Sequence, residues 1–414
     1  MPTISRASSG GATCTLEPAQ CTLARGIRTD DAAGTVEFRL TAPDPDFLYK
    51  LTPYSYAAPV PPGTPERDVG SSAMPGTGPY RIRPWHHRQI TFERNPFFRE
   101  WSHAAQPSGN PDAIVWRFYP SFEAETRAVR EGRADWIFGI LPPRELRHLR
   151  LEVPAQLHHN ATFVVDFIPL NTHAPPFDDV RVRRALNLAV DRRRIVAMYG
   201  GTVAATPTCQ PLPEGFLGYR RYCPYSADPQ RDGTWGGPDL ARARRLVMRS
   251  GTQGRVIDVW GASDLLGVPR EFPAYVASVL RSLGYRTRLH EVPIASITYA
   301  MRRGFQLSVD GDWTPDYPSP SAFLPPFFSC HGGYSNGYVC DRELDRMMRR
   351  ASAAQLRDPA GASLLWAAVD RTIVDRAYWV PTVISHAPAL VSSRLRNYQY
   401  NPIWDFVADQ AWLR

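Results

Sequence analysis

Apolar and polar residues alternate along the chain in two patterns, one typical of strands and one typical of helices. A period of two, which is typical of half-buried strands, occurs at Gly34–Thr41, Gln89–Arg94 and Ala113–Tyr119. Apolar residues spaced three and four apart, which predict amphipathic helices, follow Ser121 and Asp191, and both of these residue types cap helix N-termini. The first half of the chain is therefore predicted to combine strands with capped helices.

The second half of the chain alternates the two patterns more strictly. Helices and strands are predicted in turn at Leu240–Arg249, Val256–Trp260, Glu271–Leu283, Arg286–Val292, Ile297–Arg303 and Gln306–Val309. This alternation favours parallel strands with helices on the faces of the sheet, so the predicted fold class is α/β. Earlier in the chain, a buried strand at Ala134–Gly139 is predicted to complete a similar unit after the helix capped by Ser121.

The segment Gly311–Phe323 follows the last of these strands and reads GDWTPDYPSPSAF. Three prolines prevent it from forming a helix, and Asp316 stands between the aromatic residues Trp313 and Tyr317. A fixed, extended path that presents an acid and two flat apolar rings suits a small ligand, and ligands tend to bind beyond strand ends in α/β sheets. An aspartate between prolines is more often a turn residue, so the pattern alone leaves both interpretations open.

The net charge is positive but dispersed. Lys and Arg together number 48 against 40 Asp and Glu, and Lys50 is the only lysine. The densest arginine clusters, at positions 181–184 and 192–194, lie on predicted helices and are interpreted as solvated helix faces, so no nucleic-acid partner is predicted. A length of 414 residues suits two or three domains, and no apolar run approaches the ~18 residues of a membrane span.

The six cysteines fall into three pairs that are close in sequence. The pairs are Cys14 with Cys21, Cys209 with Cys223, and Cys330 with Cys340. This pattern favours three disulfides and an oxidising compartment, with buried free thiols as the alternative. Zinc would compete for the same cysteines, but no CxxC occurs and the spacings do not suit a tetrahedral site. The opening residues, MPTISRASSGGATC, contain no apolar core of a secretory signal.

No catalytic motif stands out. The chain contains neither a GxSxG elbow nor an HExxH helix, and adjacent histidines at positions 86–87 and 158–159 would point to opposite faces of a strand. Three further acids have no evident partner for acid–base chemistry: Asp135, Asp166 and Asp312. We therefore expect neither an enzyme nor a metal site, and we predict no cofactor.

Four segments in a fixed order resemble one known family. They are GTGPYRIRPW at Gly76–Trp85, NTHAPPFDDVRVRRALNLAVDRRRIV at Asn171–Val196, WTPDYPSPSAF at Trp313–Phe323, and NGYVCDRELDRMMRRA at Asn336–Ala351. From about Gly26 onward the chain resembles the family 5 solute-binding proteins of peptide-type ABC importers. Members of that family capture peptides, nickel and some oligosaccharides outside the membrane.

The resemblance implies a periplasmic-binding-protein-like fold of type II, with two lobes of mixed sheets and a hinge. Residues 1–172 would form an incomplete first lobe, residues 173–381 the second lobe, and residues 382–414 would return to the first. The family's signal peptide, first portion and inserted subdomain have no counterpart here. The expectation is therefore an N-terminally incomplete chain, whose export signal would lie upstream.

The resemblance also implies a function and a site. Asp316 corresponds to the acid that binds the free α-amino group of a peptide, Trp313 would form a wall of the site, and Tyr317 and Asn336 would contribute to it. The expected partners are a peptide or other small solute and the subunits of a membrane permease, for an extracytoplasmic monomer. A binder of a metal chelate or another small solute, and a ligand-sensing domain of a larger regulatory protein, remain alternatives.

Overall fold

The computed structural model describes residues 23–414 apart from positions 54–56, 62, 66–68, 71, 85–86, 266, 298–304, 310 and 335–337. Two compact units divide the chain. The first contains residues up to Ala57 together with Thr162–His386, and the second contains Ala58–Ala161 together with Ala387–Arg414. The predicted lobe boundaries after residues 172 and 381 stay a prediction.

The helices begin and end largely where the sequence predicts. In the described part of the chain they are α1 (Phe47–Lys50), α2 (Phe122–Arg130), α3 (Pro143–Glu152), α4 (Val180–Ala189), α5 (Arg192–Tyr199), α6 (Leu240–Ser250), α7 (Phe272–Ser282), α8 (Leu324–Phe328), α9 (Arg342–Gln355) and α10 (Pro359–Asp375). The side chains of Ser121 and Asp191 accept backbone N–H groups at the starts of α2 and α5, as predicted. Gly200 ends α5 with a φ of 109°, a left-handed conformation that favours glycine.

None of the described helices has both the length and the apolar character that a bilayer span requires.

The strands are short and numerous. They are β1 (Ile27–Asp30), β2 (Thr35–Phe38), β3 (Tyr80–Ile82), β4 (Gln89–Arg94), β5 (Ala113–Arg117), β6 (Leu157–His158), β7 (Ala161–Pro169), β8 (Ala205–Pro207), β9 (Val256–Ala262), β10 (Arg286–Val292), β11 (Leu307–Ser308), β12 (Gly311–Trp313), β13 (Trp379–His386), β14 (Ala389–Leu390), β15 (Leu395–Arg396), β16 (Tyr400–Asn401), β17 (Asp405–Phe406) and β18 (Trp412–Leu413). The predicted bounds of β4 and β10 agree with the structure. The predicted helix Ile297–Arg303 lies outside the described residues beyond Ile297.

The first unit contains a parallel sheet and a second, four-stranded sheet. Strands β10, β9 and β11 pair in parallel in that order, and α7 packs against β9 and β10, which confirms the predicted alternation of strands and helices. A second sheet has the order β12, β7, β13, β8, with β12 antiparallel to β7 and β8 antiparallel to β13. The residues Gly311–Phe323, which we call the candidate segment, begin on the edge strand β12 of this second sheet.

The second unit is built from antiparallel pairs. Strands β3, β4 and β5 form one sheet, and β6 pairs with β14. The predicted buried strand Ala134–Gly139 is wrong, because only a single bridge from Trp136 to Val391 forms and Phe138 is 61% exposed. The backbone turns at Gly139, whose φ is 110°, and α3 follows where no helix was predicted. No strand–helix–strand unit therefore exists at this position.

Two arginines that were interpreted as solvated are buried. Arg183 is 6% exposed and Arg192 is 0% exposed. Arg192 Nε donates to the carbonyl oxygens of Thr208 at 2.7 Å and Pro381 at 3.0 Å, while its Nη1 donates to that of Asn187 at 3.2 Å. Burial lowers the pKa of Arg192 to about 10, so the side chain remains a cation at neutral pH. The interpretation fails because backbone carbonyls, which sequence cannot place, solvate these guanidinium groups.

The main core of the first unit joins the second sheet to helices α8, α9 and α10. Its members include Trp366 from α10, which is 0% exposed, and Phe328 from α8, which is also 0% exposed. Phe167 of β7 stacks on Trp379 of β13 with ring centroids 3.4 Å apart. These large rings tie the centre of the sheet to the helices that flank the candidate segment.

Two of the three predicted cysteine pairs are joined. Cys209 and Cys223 have Cα atoms 5.2 Å apart, and Cys330 and Cys340 have Cα atoms 4.2 Å apart, and both pairs form disulfides. Cys14 and Cys21 lie outside the described residues. The two bonds each close a loop of the first unit, and the second lies just beyond the candidate segment.

Replacing Arg192 tests whether its buried contacts stabilise the first unit. We expect Arg192→Met to lower the free energy of unfolding by about 3 kcal/mol, because three backbone carbonyls lose a charged donor inside the core. Urea unfolding monitored by circular dichroism would measure this change. The matched control is Arg194→Met on the same helix, where an exposed guanidinium lies 5.0 Å from the Tyr275 ring and should contribute less than about 1 kcal/mol. Equal losses of unfolding free energy in the two variants would show that the buried contacts of Arg192 do not stabilise the first unit more than an exposed arginine does.

Candidate functional site

The candidate segment starts where the chain passes from one sheet to the other. Strand β11 belongs to the parallel sheet, and β12 pairs with β7 in the second sheet, with Trp313 opposite Val165. A Cβ atom at Gly311 would lie 2.7 Å from the carbonyl oxygen of Phe167, so only glycine fits at this close approach. The start of the segment is thereby fixed against β7.

Prolines and hydrogen bonds within the segment restrict the conformation of its remaining residues. Pro315 and Pro320 are buried, and the residues between them form neither a helix nor a strand, as the prolines predicted. The Ser319 amide donates to the carbonyl oxygen of Tyr317 at 2.8 Å. The Trp313 indole N–H donates to the carbonyl oxygen of Ala322 at 2.9 Å, and this bond joins the two ends of the segment.

Trp313 is half-buried in a cluster of aromatic rings. Its ring centroid lies 4.9 Å from that of Phe327, at an interplanar angle of 83°, and 4.7 Å from that of Tyr334. Edge-to-face contacts of this kind add to the stabilisation that burial provides. Trp313 therefore has a defined orientation and keeps part of its surface accessible.

Asp316 and Tyr317 are adjacent but lie in different environments. Asp316 is half-buried, whereas Tyr317 is only 3% exposed. The Tyr317 hydroxyl lies 3.3 Å from Ser321 Oγ, and its ring stacks on Tyr49. Burial raises the pKa of Tyr317 above its ordinary value, and the carboxylates of Asp46, Asp44 and Asp316 add to this rise. Tyr317 is thus a neutral, buried residue next to Asp316. Of these two side chains, that of Asp316 is the more accessible to solvent.

Asn336 lies outside the described residues. The chain after it contacts the region of Thr172, whose backbone N–H donates to the carbonyl oxygen of Tyr338 at 3.3 Å and whose hydroxyl donates to the same oxygen. The roles assigned to Asp316, Trp313, Tyr317 and Asn336 stay predictions.

Asp166 has partners that the sequence did not reveal. This carboxyl is 5% exposed and accepts hydrogen bonds from the Tyr199 hydroxyl at 2.8 Å and from Ser385 Oγ. Asp312 of β12 lies opposite it across the sheet. Burial raises the pKa of Asp166 to about 7, and the facing Asp312 adds to this rise. Ser385 is 219 residues away in sequence, so no local pattern indicates the contact.

A cavity of about 280 Å³ lies in the first unit beside the segment rather than at Asp316. Ser321, Asp345, Arg349 and Trp366 are among the residues that line it. Neither Trp313 nor Asp316 is a lining residue. Among the described residues, no group of three His, Cys, Asp or Glu side chains comes together as a metal site.

The chain belongs to the bacterial extracellular solute-binding proteins of family 5. The model of that family, described as "Bacterial extracellular solute-binding proteins, family 5 Middle", matches residues 24–335. The predicted family is thereby confirmed, and three of the four segments that carry the resemblance lie within the matched residues.

Two relatives in this family have names that include their ligands. The probable di/tripeptide-binding protein 5 of Pseudomonas aeruginosa is 25% identical over 351 residues, which are 82% of this chain and 61% of the relative. The glutathione-binding protein GsiB of Salmonella typhimurium is 23% identical over 362 residues, which are 84% of this chain and 66% of the relative. The chain thus spans less than two thirds of the length of either relative.

Solved structures share the fold of the chain. The clavulanic acid biosynthesis oligopeptide binding protein 2 aligns with a TM-score of 0.79 at 24% identity, over 94% of this chain and 72% of that protein. The Escherichia coli murein tripeptide binding protein MppA aligns with a TM-score of 0.74 at 18% identity, over 99% and 78%. Haemophilus influenzae OppA, in complex with RPPGFSPFR, aligns with a TM-score of 0.70 at 19% identity, over 98% and 78%. These alignments confirm the predicted periplasmic-binding-protein-like α/β fold class.

The raised pKa of Asp166 predicts a pH dependence of stability. Between the pKa of about 4 of an unfolded aspartate and the folded value of about 7, the folded protein binds a proton that the unfolded chain does not. The free energy of unfolding should therefore fall as the pH rises through this window. We expect Asp166→Asn, which cannot titrate, to show a smaller loss of melting temperature between pH 5 and pH 8 than the unmodified protein.

Differential scanning calorimetry at several pH values would measure this effect. Asp30→Asn is the matched control, because Asp30 is exposed in the same unit and caps the turn after β1. An Asp166→Asn variant with the same pH slope as the unmodified protein would show that Asp166 is ionised throughout this range.

Proposed function

We propose that this chain is the ligand-binding part of an ABC-importer solute-binding protein that captures peptides outside the cytoplasmic membrane and delivers them to a permease. Family membership supports the solute-binding role. The di/tripeptide and glutathione ligands in the names of the relatives support peptides as the solute class. The peptide RPPGFSPFR, with which Haemophilus influenzae OppA forms a complex, supports the same class.

The observation that carries this proposal is the half-buried carboxylate of Asp316 on a segment that is fixed at both ends. A carboxylate that is partly withdrawn from water binds an ammonium group more strongly than a fully solvated one, because the attraction is less screened. The free α-amino group of a peptide is such a cation. Asp316 would therefore bind the peptide's amino terminus.

Trp313 supplies the second element of the proposed site. Its half-buried ring, held by Phe327 and Tyr334, offers a flat apolar surface three residues before the acid. A surface of this kind packs against the backbone and the first side chain of a peptide without selecting one side chain. The buried Tyr317 would hold the adjacent Asp316 in position. Asn336 is the fourth residue that we assign to the site.

The proposed place of action is extracytoplasmic. The pairs Cys209–Cys223 and Cys330–Cys340 support it, because disulfides persist mainly in oxidising compartments. The family description, which names extracellular proteins, supports the same location. We further propose that the protein acts as a monomer, that the permease subunits are its protein partners and that it catalyses no reaction.

Replacing Asp316 tests the anchor directly. We expect Asp316→Ala to weaken the binding of a tripeptide with a free amino terminus by about 10- to 100-fold, since one charge-assisted hydrogen bond is lost at a partly buried position. The same tripeptide with an acetylated amino terminus should bind weakly to both proteins. Isothermal titration calorimetry would measure both affinities.

The matched control is Asp312→Asn, which removes an acid from the same segment at an exposed position. It should leave the affinity for the tripeptide within about threefold. Unchanged affinity in Asp316→Ala would exclude Asp316 as the anchor. Native mass spectrometry of the purified protein would identify a co-purified solute, and a non-peptide solute would contradict the proposed ligand class.

A further inference from the structure

Asp46, a buried acid far from the candidate segment in sequence, is hydrogen-bonded to it. Asp46 precedes α1 and is 1% exposed. Its Oδ1 accepts a hydrogen bond from Gln355 Nε2 at 3.0 Å, and its Oδ2 accepts one from Ser321 Oγ. Because a buried carboxylate is costly unless its oxygens are hydrogen-bonded, these two contacts allow α1 to lie against the segment.

An aromatic contact from α1 reaches the residue next to Asp316. The rings of Tyr49 and Tyr317 are nearly parallel, with an interplanar angle of 4° and centroids 6.1 Å apart. The Tyr317 hydroxyl is in turn 3.3 Å from Ser321 Oγ, the group that binds Asp46. Helix α1 and the residue before it therefore contact the segment at two positions on the C-terminal side of Asp316.

The second partner of Asp46 is anchored in the core. Gln355 lies at the end of α9, and its Oε1 accepts the indole N–H of Trp366 at 3.1 Å. Trp366 is 0% exposed. Gln355 thus has little freedom to move, and Asp46 links the segment to a rigid part of the first unit.

Helix α1 is too short to hold this position by itself. It has four residues, whereas isolated helices need about 12–15 residues to be even marginally stable. Its local support comes from Asp44, whose Oδ1 accepts the Asp46 N–H at 3.0 Å and whose Oδ2 accepts Lys50 Nζ at 2.6 Å. The position of α1 therefore depends on contacts with other parts of the chain. They are made with Ser321, Gln355 and Tyr317, and with the Phe38 ring, on which Phe47 packs.

From these contacts we infer that Asp46 is a positioning residue for the ligand site. By binding Ser321 and Gln355 together, it holds the segment in the conformation in which Asp316 faces the ligand's amino terminus. This inference rests on the proposed function, since it concerns the same site. Asp46 does not touch the ligand and acts only through the segment.

Two substitutions at Asp46 separate hydrogen bonding from charge. Asp46→Ala removes both acceptors, and we expect hydrogen exchange of residues 317–323 to become at least about tenfold faster. Binding of a tripeptide with a free amino terminus should weaken about tenfold, while weak binding of its acetylated form should not change. Asp46→Asn should stay within about threefold in both measurements, because its amide oxygen accepts from Gln355 and its amide nitrogen donates to Ser321 Oγ.

Hydrogen exchange read by mass spectrometry and calorimetric titration would supply these values. Glu37→Ala is the control, since Glu37 belongs to the same part of the chain but forms an exposed ion pair with Arg39. It should change neither the exchange rate nor the affinity.

Three outcomes would overturn the inference. The first is unchanged exchange in Asp46→Ala, and the second is faster exchange with unchanged affinity, which would leave Asp46 a structural residue only. The third is equal weakening in Asp46→Ala and Asp46→Asn, which would show that charge matters rather than the two hydrogen bonds. If the unmodified protein binds no peptide, the proposed function fails, and the exchange rates still decide whether Asp46 holds the segment.

Discussion

The guanidinium group of Arg192 sets the arrangement of the first unit. It is removed from water and donates to carbonyl oxygens from three separate parts of the chain, those of Asn187, Thr208 and Pro381. A buried cation is costly without such partners, so these three parts can come together in few other ways. Pro381 belongs to β13, which neighbours β7, and β7 pairs with β12. The position of the candidate segment thus depends on a contact that is remote from it.

Aromatic packing connects the centre of the second sheet to the candidate segment. Phe167 and Trp379 stack in the middle of the sheet, Phe327 contacts both rings, and Trp313 packs on Phe327. Large rings have few orientations in a packed core, so each fixes the next. The segment therefore has one side fixed by this cluster, whereas its other side depends on the polar and aromatic contacts of α1.

Sequence reasoning predicted elements wherever the signal is local. Asp191 caps α5 as expected, because the hydrogen bonds of a cap form within one turn. Helix α3 escaped prediction because it starts at consecutive prolines and is rich in charged residues. The segment around Asp316 was found through its prolines and its resemblance to a family. Ser321, which binds Asp46 from 275 residues away, had no such signal, because tertiary contacts leave no trace in a single sequence.

The scarcity of lysine has a consequence for chemical labelling. Lys50 is the only side chain of the protein with a primary amine, since every other basic residue among the 48 Lys and Arg is an arginine. It lies in α1 next to Tyr49, whose ring stacks on Tyr317. The Lys50 side chain is only 14% exposed and its Nζ is bonded to Asp44, so an amine-directed fluorophore would react with the chain's amino terminus, and with Lys50 beside the candidate segment only when this ion pair opens. Such a reporter needs no engineered cysteine, so both disulfides of the first unit stay intact.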